Sequence, residues 1–168
     1  MAPDRRNTSP VFASTCRRMS NDPAAQAQAL LQAASTASLG TIDRDGGGPF
    51  ASLVLVATDD QGEPILLLSD LAEHSRNIAA DDRVSLLIDG TAGHDDPLTG
   101  PRLTLQGRAA RRDDGRFREV YLGRHASAAQ YADFGDFAFY GIAVERAHLV
   151  AGFGRIDWVS GADMAAYS

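Results

Sequence analysis

The chain has 168 residues, 44% of them hydrophobic and 23% charged, which is typical of one globular domain able to bury about 70% of the surface of its unfolded chain. The formal net charge of −6 argues against a nucleic-acid-binding surface, and no apolar run reaches the ~20 residues of a membrane span. The polar, arginine-containing start lacks the apolar core of a secretory signal, so we expect a cytoplasmic protein.

Residue usage excludes several kinds of site. The single Cys16 excludes an internal disulfide and a cysteine-based metal cluster. All 16 basic residues are arginines, which excludes a lysine Schiff base and a P-loop lysine. His94 stands beside two aspartates but lacks a third spaced metal ligand, and no residue order indicates a nucleophile. We therefore predict no metal site and assign no catalytic residue.

The first third of the chain predicts an arm, a helix and strands. Residues 1–20 are polar and without periodicity, which predicts a flexible N-terminal arm. Asp22 and Pro23 are typical of a helix start, and this helix is expected to run to about Ser35. Strands are predicted at 37–43 and 49–58, with a glycine-rich hairpin loop between them.

The rest of the chain predicts more strands and a few short helices. Pattern and turn residues place strands at 65–68, 83–89, 101–111, 137–144, 148–153 and 156–159, and helices at 73–80, 113–125 and 127–134. A tight turn is expected near Glu145–Arg146. The connections are those of an antiparallel sheet, so the prediction is a mainly β fold, a small barrel with flanking helices. We place the domain at 21–162 and a C-terminal tail at 163–168.

One stretch, Pro64–Ile78, carries the chemistry of an anion site. A short apolar strand stops at Ser69–Asp70, and a helix then begins whose first turns carry Ser75 and Arg76. Hydroxyls, a guanidinium and helix-start amides together favour a phosphate. The alternative is an ordinary strand–helix junction capped by Asp70 or Ser75. His74 is either a second donor or proton-transfer group, or simply a solvated residue at the helix start.

Several segments resemble one known family. Residues 66–88, including Leu-Leu-Leu-Ser-Asp-Leu-Ala-Glu-His-Ser-Arg-Asn-Ile, are similar to the flavin-binding segment of split-barrel flavoproteins related to pyridoxamine 5′-phosphate oxidase. Gly-Pro-Arg-Leu-Thr-Leu-Gln-Gly-Arg-Ala at 100–109 and Ala-His-Leu-Val-Ala-Gly-Phe-Gly-Arg at 147–155 resemble the HugZ-type haem-utilisation branch. The resemblance implies a homodimer of six-stranded antiparallel split β-barrels with two FMN sites at the subunit interface, acting on a small-molecule substrate.

The resemblance also implies roles for individual residues. The Leu53–Val56 strand would contact the isoalloxazine ring, the turn after Leu68 would follow the ribityl chain, and Ser75 with Arg76 would hold the phosphate. The segment from Phe153 would close over the partner's flavin. The implied FMN-binding residues are Leu53, Val54, Leu55, Val56, Leu68, Ser69, Asp70, His74, Ser75, Arg76, Asn77, Arg102, Arg155 and Trp158.

Departures from the oxidase pattern keep three functions open. Ala51 and Val56 stand where the oxidases carry Arg and Lys, and Asn77 replaces the last residue of their Ser-Arg-Lys motif. Oxidation of pyridoxamine phosphate is therefore not expected, and the first hypothesis is a different FMN-dependent oxidoreductase. The second is a haem-binding or haem-degrading protein, although no histidine follows His148 where these relatives have a ligand. The third is a non-catalytic cofactor-binding dimer.

Overall fold

The computed structural model describes residues 21–152 and 154–168, so the predicted arm and Phe153 lie outside the described residues. The first helix, α1, is Pro23–Ala33. The side chain of Asp22 accepts a hydrogen bond from the backbone N–H of Ala24 (2.8 Å), and Pro23 occupies the first helical position, as the sequence predicts. The helix ends earlier than expected because the first strand already starts at Thr36.

The described residues form one curled sheet of eight strands, with every pairing antiparallel. The strands are β1 (Thr36–Ile42), β2 (Pro49–Leu55), β3 (Ala57–Thr58), β4 (Pro64–Ser69), β5 (Arg83–Asp89), β6 (Pro101–Arg111), β7 (Phe137–Ala151) and β8 (Ile156–Ser160). Their order is β2-β1-β5-β6-β7-β4-β3, and β8 pairs with the second half of β7. The predicted mainly β, antiparallel split barrel is confirmed, with eight strands where six were expected.

Three further helices flank the sheet: α2 (Glu73–Ala80), α3 (Gly115–Arg124) and α4 (Gly161–Ala165). Short 3-10 helices occupy Pro97–Thr99 and Ala126–Gln130, and the latter replaces the helix predicted at 127–134. None of the helices in the described part of the chain is long and apolar enough to cross a bilayer.

The predicted turn at Glu145–Arg146 is wrong, because β7 runs through it without a break. Arg146 pairs with Gln106 on β6 and with Ser160 on β8, whereas Gly107 pairs with Val144. Glu145 is thus the extra residue of a β-bulge. A bulge places two consecutive charged residues in solvent, which in the sequence looks like a turn.

The strand β4 connects two hydrophobic cores and is buried on both faces, as predicted. Leu66 and Leu68 belong to the larger core, between the sheet and α1. Ile65 and Leu67 belong to a smaller core that includes Phe117 of α3. The turn at the end of β4 is therefore held between two packed layers, and this positions α2. The predicted domain boundary at 162 stays a prediction, although Met164 is buried in the larger core.

Candidate functional site

The turn after β4 is built from polar side chains that bond to one another. Ser69 Oγ donates to Asp136 Oδ2 (2.6 Å) and accepts from the backbone N–H of Leu71 (3.1 Å). Arg111 Nη2 donates hydrogen bonds to both carboxylate oxygens of Asp70, at 2.8 and 2.9 Å. Leu68, the third residue predicted here, lies in the larger core. Ser69 and Asp70 therefore fix the turn that leads into α2.

The helix α2 begins without a side-chain cap. Its N-cap residue is Ala72, and the backbone N–H groups of Ser75 and Arg76 donate to the Ala72 carbonyl at 3.2 and 3.3 Å. Neither Asp70 nor Ser75 caps the helix, so the capped-junction interpretation is wrong. Two of the helix-start amides that the sequence predicts as anion donors therefore form hydrogen bonds within the helix itself.

Ser75 carries the one feature of this region that indicates a ligand. The residue is 3% exposed, and its hydroxyl has no hydrogen-bond partner among residues 21–152 and 154–168. A buried hydroxyl without a partner costs free energy, so such groups usually have one. The side chain of neighbouring Arg76 is about half-exposed, and its one ion pair among the described residues is with Glu73, at 3.6 Å. A phosphate bound by both the hydroxyl and the guanidinium would face the Glu73 carboxylate as well.

Asn77 and His74 are engaged elsewhere. Asn77 is fully buried; its Nδ2 donates to Thr41 Oγ1 (3.1 Å), and its Oδ1 accepts from the backbone N–H of Arg44 (3.2 Å). His74 Nδ1 lies 3.1 Å from Ser52 Oγ, and burial lowers the pKa of His74. These contacts attach α2 to the β1–β2 hairpin. Sequence analysis missed Thr41 and Ser52, since nothing local marks residues so distant in the chain as partners.

The predicted ring-contacting strand alternates between solvent and core. Leu53 is 77% exposed, whereas Val54 and Val56 are buried and Leu55 is half-buried. The backbone of Val56 is already paired: its N–H donates to Ser35 (3.0 Å), and its carbonyl oxygen lies 2.9 Å from His125 Nε2. β2 is an edge strand in the sheet order, so Leu53 stands at an open border.

A second cluster of predominantly polar side chains lies on the outer face of β6, β7 and β8. Thr104, His148 and Trp158 occupy one cross-strand row. The rings of His148 and Trp158 are 4.6 Å apart, and the Arg146 guanidinium carbon lies 4.8 Å from the Trp158 ring centroid. Arg146 Nε also donates to Gln106 Oε1 at 2.7 Å. We call Thr104, Arg146, His148 and Trp158 the β6–β8 face.

The remaining two predicted residues border this face. Arg102 lies on β6 two residues from Thr104, and its Nη1 donates to the carbonyls of Leu98 (3.0 Å) and Gly100 (3.3 Å). Arg155 directly precedes β8 and is exposed, and its side chain has no partner in the described part of the chain. The structure thus divides the predicted residues among β2, the region from the end of β4 to α2, and the β6–β8 face with its border.

Register connects the β6–β8 face with the predicted ring-contacting strand β2. The row of Thr104, His148 and Trp158 continues through Leu87 on β5 and Ser38 on β1 to Leu53 on β2. With strands about 4.8 Å apart, this row extends about 24 Å across the outer side of the sheet.

Comparison with known proteins gives the chain relatives. It is 38% identical over 109 residues to HOZ, a chloroplastic heme oxygenase of non-standard type from Arabidopsis thaliana, a match that covers 63% of this chain and 33% of HOZ. A heme binding protein from Mycobacterium smegmatis is 35% identical, with a TM-score of 0.78, over 86% of this chain and 61% of that one. The chain thus spans about a third of the length of the curated relative that it matches.

Two further matches fix the fold and the family. HutZ, the heme storage protein of Vibrio cholerae, is 21% identical with a TM-score of 0.61 over 76% of this chain and 92% of HutZ, which shows a shared fold. The predicted split-barrel resemblance to the haem-utilisation branch is confirmed. The model of the CREG β-barrel family matches residues 18–168. The chain therefore belongs to the CREG β-barrel family.

Proposed function

We propose that this chain binds haem on the β6–β8 face, where His148 would hold the iron. The observation that carries the proposal is the half-buried His148 ring on the outer face of the barrel, which contacts the Trp158 ring in a tilted arrangement with the ring centroids 4.6 Å apart. Among the described residues the ring makes no hydrogen bond that would occupy its nitrogens. Support comes from relatives at 35–38% identity whose names record heme binding or heme oxygenation.

The side chains around His148 fit the other parts of a haem group. The exposed Trp158 ring offers an apolar surface to a planar macrocycle. Arg146 lies two residues before His148 on β7, and Arg155 directly precedes β8; their guanidinium groups would neutralise the carboxylates of the propionates. The other histidines suit this role less well. His74 and His125 lie close to Ser52 Oγ and the Val56 carbonyl respectively, and His94 Nδ1 lies 3.2 Å from the Thr91 carbonyl oxygen.

Bound haem would supply redox chemistry at iron, and the chain would supply the ligand, the ring contact and the counter-charges. Because the chain spans only part of HOZ, binding is the proposed function, and haem degradation is a separate question. Turnover with a reductant and O2 distinguishes a degrading enzyme from a non-catalytic haem-binding protein. A cytoplasmic location stays a prediction, and HOZ itself is described as chloroplastic.

The test is a haem titration of the full chain, followed by the Soret band. We expect saturable binding with one haem per chain, and at least tenfold weaker binding with a shifted band in His148→Ala. The matched control is His94→Ala, which removes an exposed loop histidine and is expected to behave like the wild type. Weak, non-saturable association, or equal spectra for His148→Ala and the wild type, would overturn the proposal.

We infer that the same row of residues forms a homodimer interface. Leu53, Leu87, Ile156 and Trp158 are all exposed, and register places them on one outer side of the sheet. Several exposed apolar side chains on one side of a sheet are typical of an interface. Light scattering is expected to give twice the chain mass for the wild type and a monomer for Leu87→Arg. Leu98→Arg, on an exposed loop, is the control. A monomeric wild type would contradict the inference.

FMN binding at the start of α2 is the second candidate function, and the buried Ser75 hydroxyl favours it. Ser75 and Arg76 would hold the phosphate, while Asn77 would only position the helix. The phosphate would be held by one guanidinium rather than the Arg and Lys of the oxidases. An FMN fluorescence titration checks this: we expect quenching on binding, and its loss in Arg76→Ala. Unquenched FMN with the wild type excludes this candidate.

A further inference from the structure

A cleft of about 610 Å³ lies between the start of α1, β8 and α4, next to the β6–β8 face. Its walls include Asp22, Asp157, Asp163, Val159, Trp158 and Tyr167. Clefts of 300–1,000 Å³ are the usual size for small-ligand or side-chain recognition. The volume is therefore sufficient for one long side chain with its flanking backbone.

The charge of the cleft is negative and uncompensated. Asp22, Asp157 and Asp163 contribute three carboxylates, no lysine or arginine lines the cleft, and none of the three forms an ion pair within the described ranges. Their hydrogen bonds come from neutral groups: Tyr167 Oη donates to Asp22 (2.7 Å), and Ser160 Oγ to Asp163 (2.7 Å). The Tyr167 and Ala24 donors hold the pKa of Asp22 below its usual range, so its charge persists.

The aromatic wall gives an independent indication of the ligand's chemistry. Trp158 is 59% exposed, and the Arg146 guanidinium already lies 4.8 Å from its ring centroid. The ring therefore accepts a guanidinium within the chain itself. Cation–π contacts of this kind are strongest with tryptophan.

The edge of β8 supplies the third feature. β8 pairs with β7 on one side, and no described strand pairs with its other side. An open strand edge offers backbone donors and acceptors to an extended peptide, while side-chain pockets beside it give specificity.

We propose that this cleft binds an extended peptide segment through an arginine or lysine side chain. The cation lies among Asp22, Asp157 and Asp163, its aliphatic stem contacts Trp158 and Tyr167, and the peptide backbone runs along the open edge of β8. The cleft shares Trp158 with the β6–β8 face but does not include His148, so peptide binding is tested on the apo chain.

Trp158 is the only tryptophan, so intrinsic fluorescence reports on this cleft directly. The apo full chain is titrated with acetyl-Gly-Arg-Gly-Arg-Gly-amide and, as a control, with the same peptide carrying neutral citrulline for arginine. We expect a saturable change with the arginine peptide alone, weakened by salt. Asp157→Asn and Asp163→Asn are each expected to raise the Kd about threefold, which is the effect expected from losing one partly exposed ion pair.

Asp95→Asn removes the same charge from an exposed loop outside the cleft and is the matched control, with unchanged affinity expected. Equal binding of the citrulline peptide would overturn the proposal. So would affinity that is unchanged in both cleft variants, a similar loss in Asp95→Asn, or no saturable response at all.

Discussion

The start of α2 and the β6–β8 face both concentrate polar side chains, but they use them differently. At α2, Ser69, Asp70 and Asn77 are bonded to partners from β1, β6 and the segment before β7. On the β6–β8 face, His148 and Trp158 contact each other while keeping exposed surface, and neither side chain forms a hydrogen bond in the described residues.

The difference separates stability from binding. A buried polar side chain with its hydrogen bonds satisfied holds the fold, and its removal leaves partners unpaired. A half-exposed ring with free nitrogens contributes little to folding and remains available to a ligand. Substitutions of the hydrogen-bonded side chains at α2 should therefore lower stability, whereas substitutions at the β6–β8 face should lower ligand affinity.

The largest expected effect on stability is that of Asn77→Ala. The change leaves Thr41 Oγ1 and the Arg44 N–H without a partner, at a cost of about 2–3 kcal/mol. This corresponds to a fall in Tm of roughly 5–10 °C for a domain of this size. Thermal unfolding by circular dichroism measures it. Arg76→Ala, the exposed neighbour, is the control and should stay within about 0.5 kcal/mol of the wild type. An Asn77→Ala variant as stable as the wild type would remove the distinction between the regions.

Ser75→Ala should behave in the opposite way from Asn77→Ala. Its hydroxyl has no partner within residues 21–152 and 154–168, so we expect a change in unfolding free energy of no more than about 0.5 kcal/mol. If the anion site binds FMN, affinity should fall about tenfold, as for loss of one hydrogen bond to a charged group. Ser127→Ala, on the exposed 3-10 helix, controls for loss of a hydroxyl. Strong destabilisation would show that Ser75 is structural like Asn77.

The smallest expected effect is a pH dependence from His74. Burial lowers its folded-state pKa from 6.5, so between the two pKa values the unfolded state binds more protons. The stability contribution is complete above pH 6.5 and is lost as the pH falls towards the lowered folded pKa. Urea unfolding at pH 7.5 and 5.5 should show less acid destabilisation in His74→Gln than in the wild type. His94→Gln should match the wild type; identical pH profiles for all three proteins would refute the assignment to His74.

The sequence predicts most of the fold because its signals are local. The bounds of α2, β5 and β6 agree with the structure, since turn residues and alternation mark them directly. The error lies at β7. The bulge at Glu145 depends on the partner strand, where Gly107 packs so closely on β7 that an added Cβ would lie 2.1 Å from the Ala143 carbonyl oxygen. No pattern within β7 itself contains that information.

The site is less predictable than the fold, because its contacts join residues that are distant in the chain. Ser75 and Arg76 are neighbours in sequence and could be identified together. Asn77 was assigned to the cofactor, whereas its observed partner Thr41 lies 36 residues away. The contact between His148 and Trp158 requires the register of β7 and β8. Because the two charged residues Glu145–Arg146 predict a turn, the sequence divides β7 there and does not give that register.

Ligation of iron by His148 is tested most directly by chemical rescue. In the haem-loaded His148→Gly variant, millimolar imidazole should restore the Soret position of the wild type, because it replaces the missing ring in the space left by the substitution. A His148→Gly variant whose haem spectrum equals that of the wild type without imidazole would contradict the account.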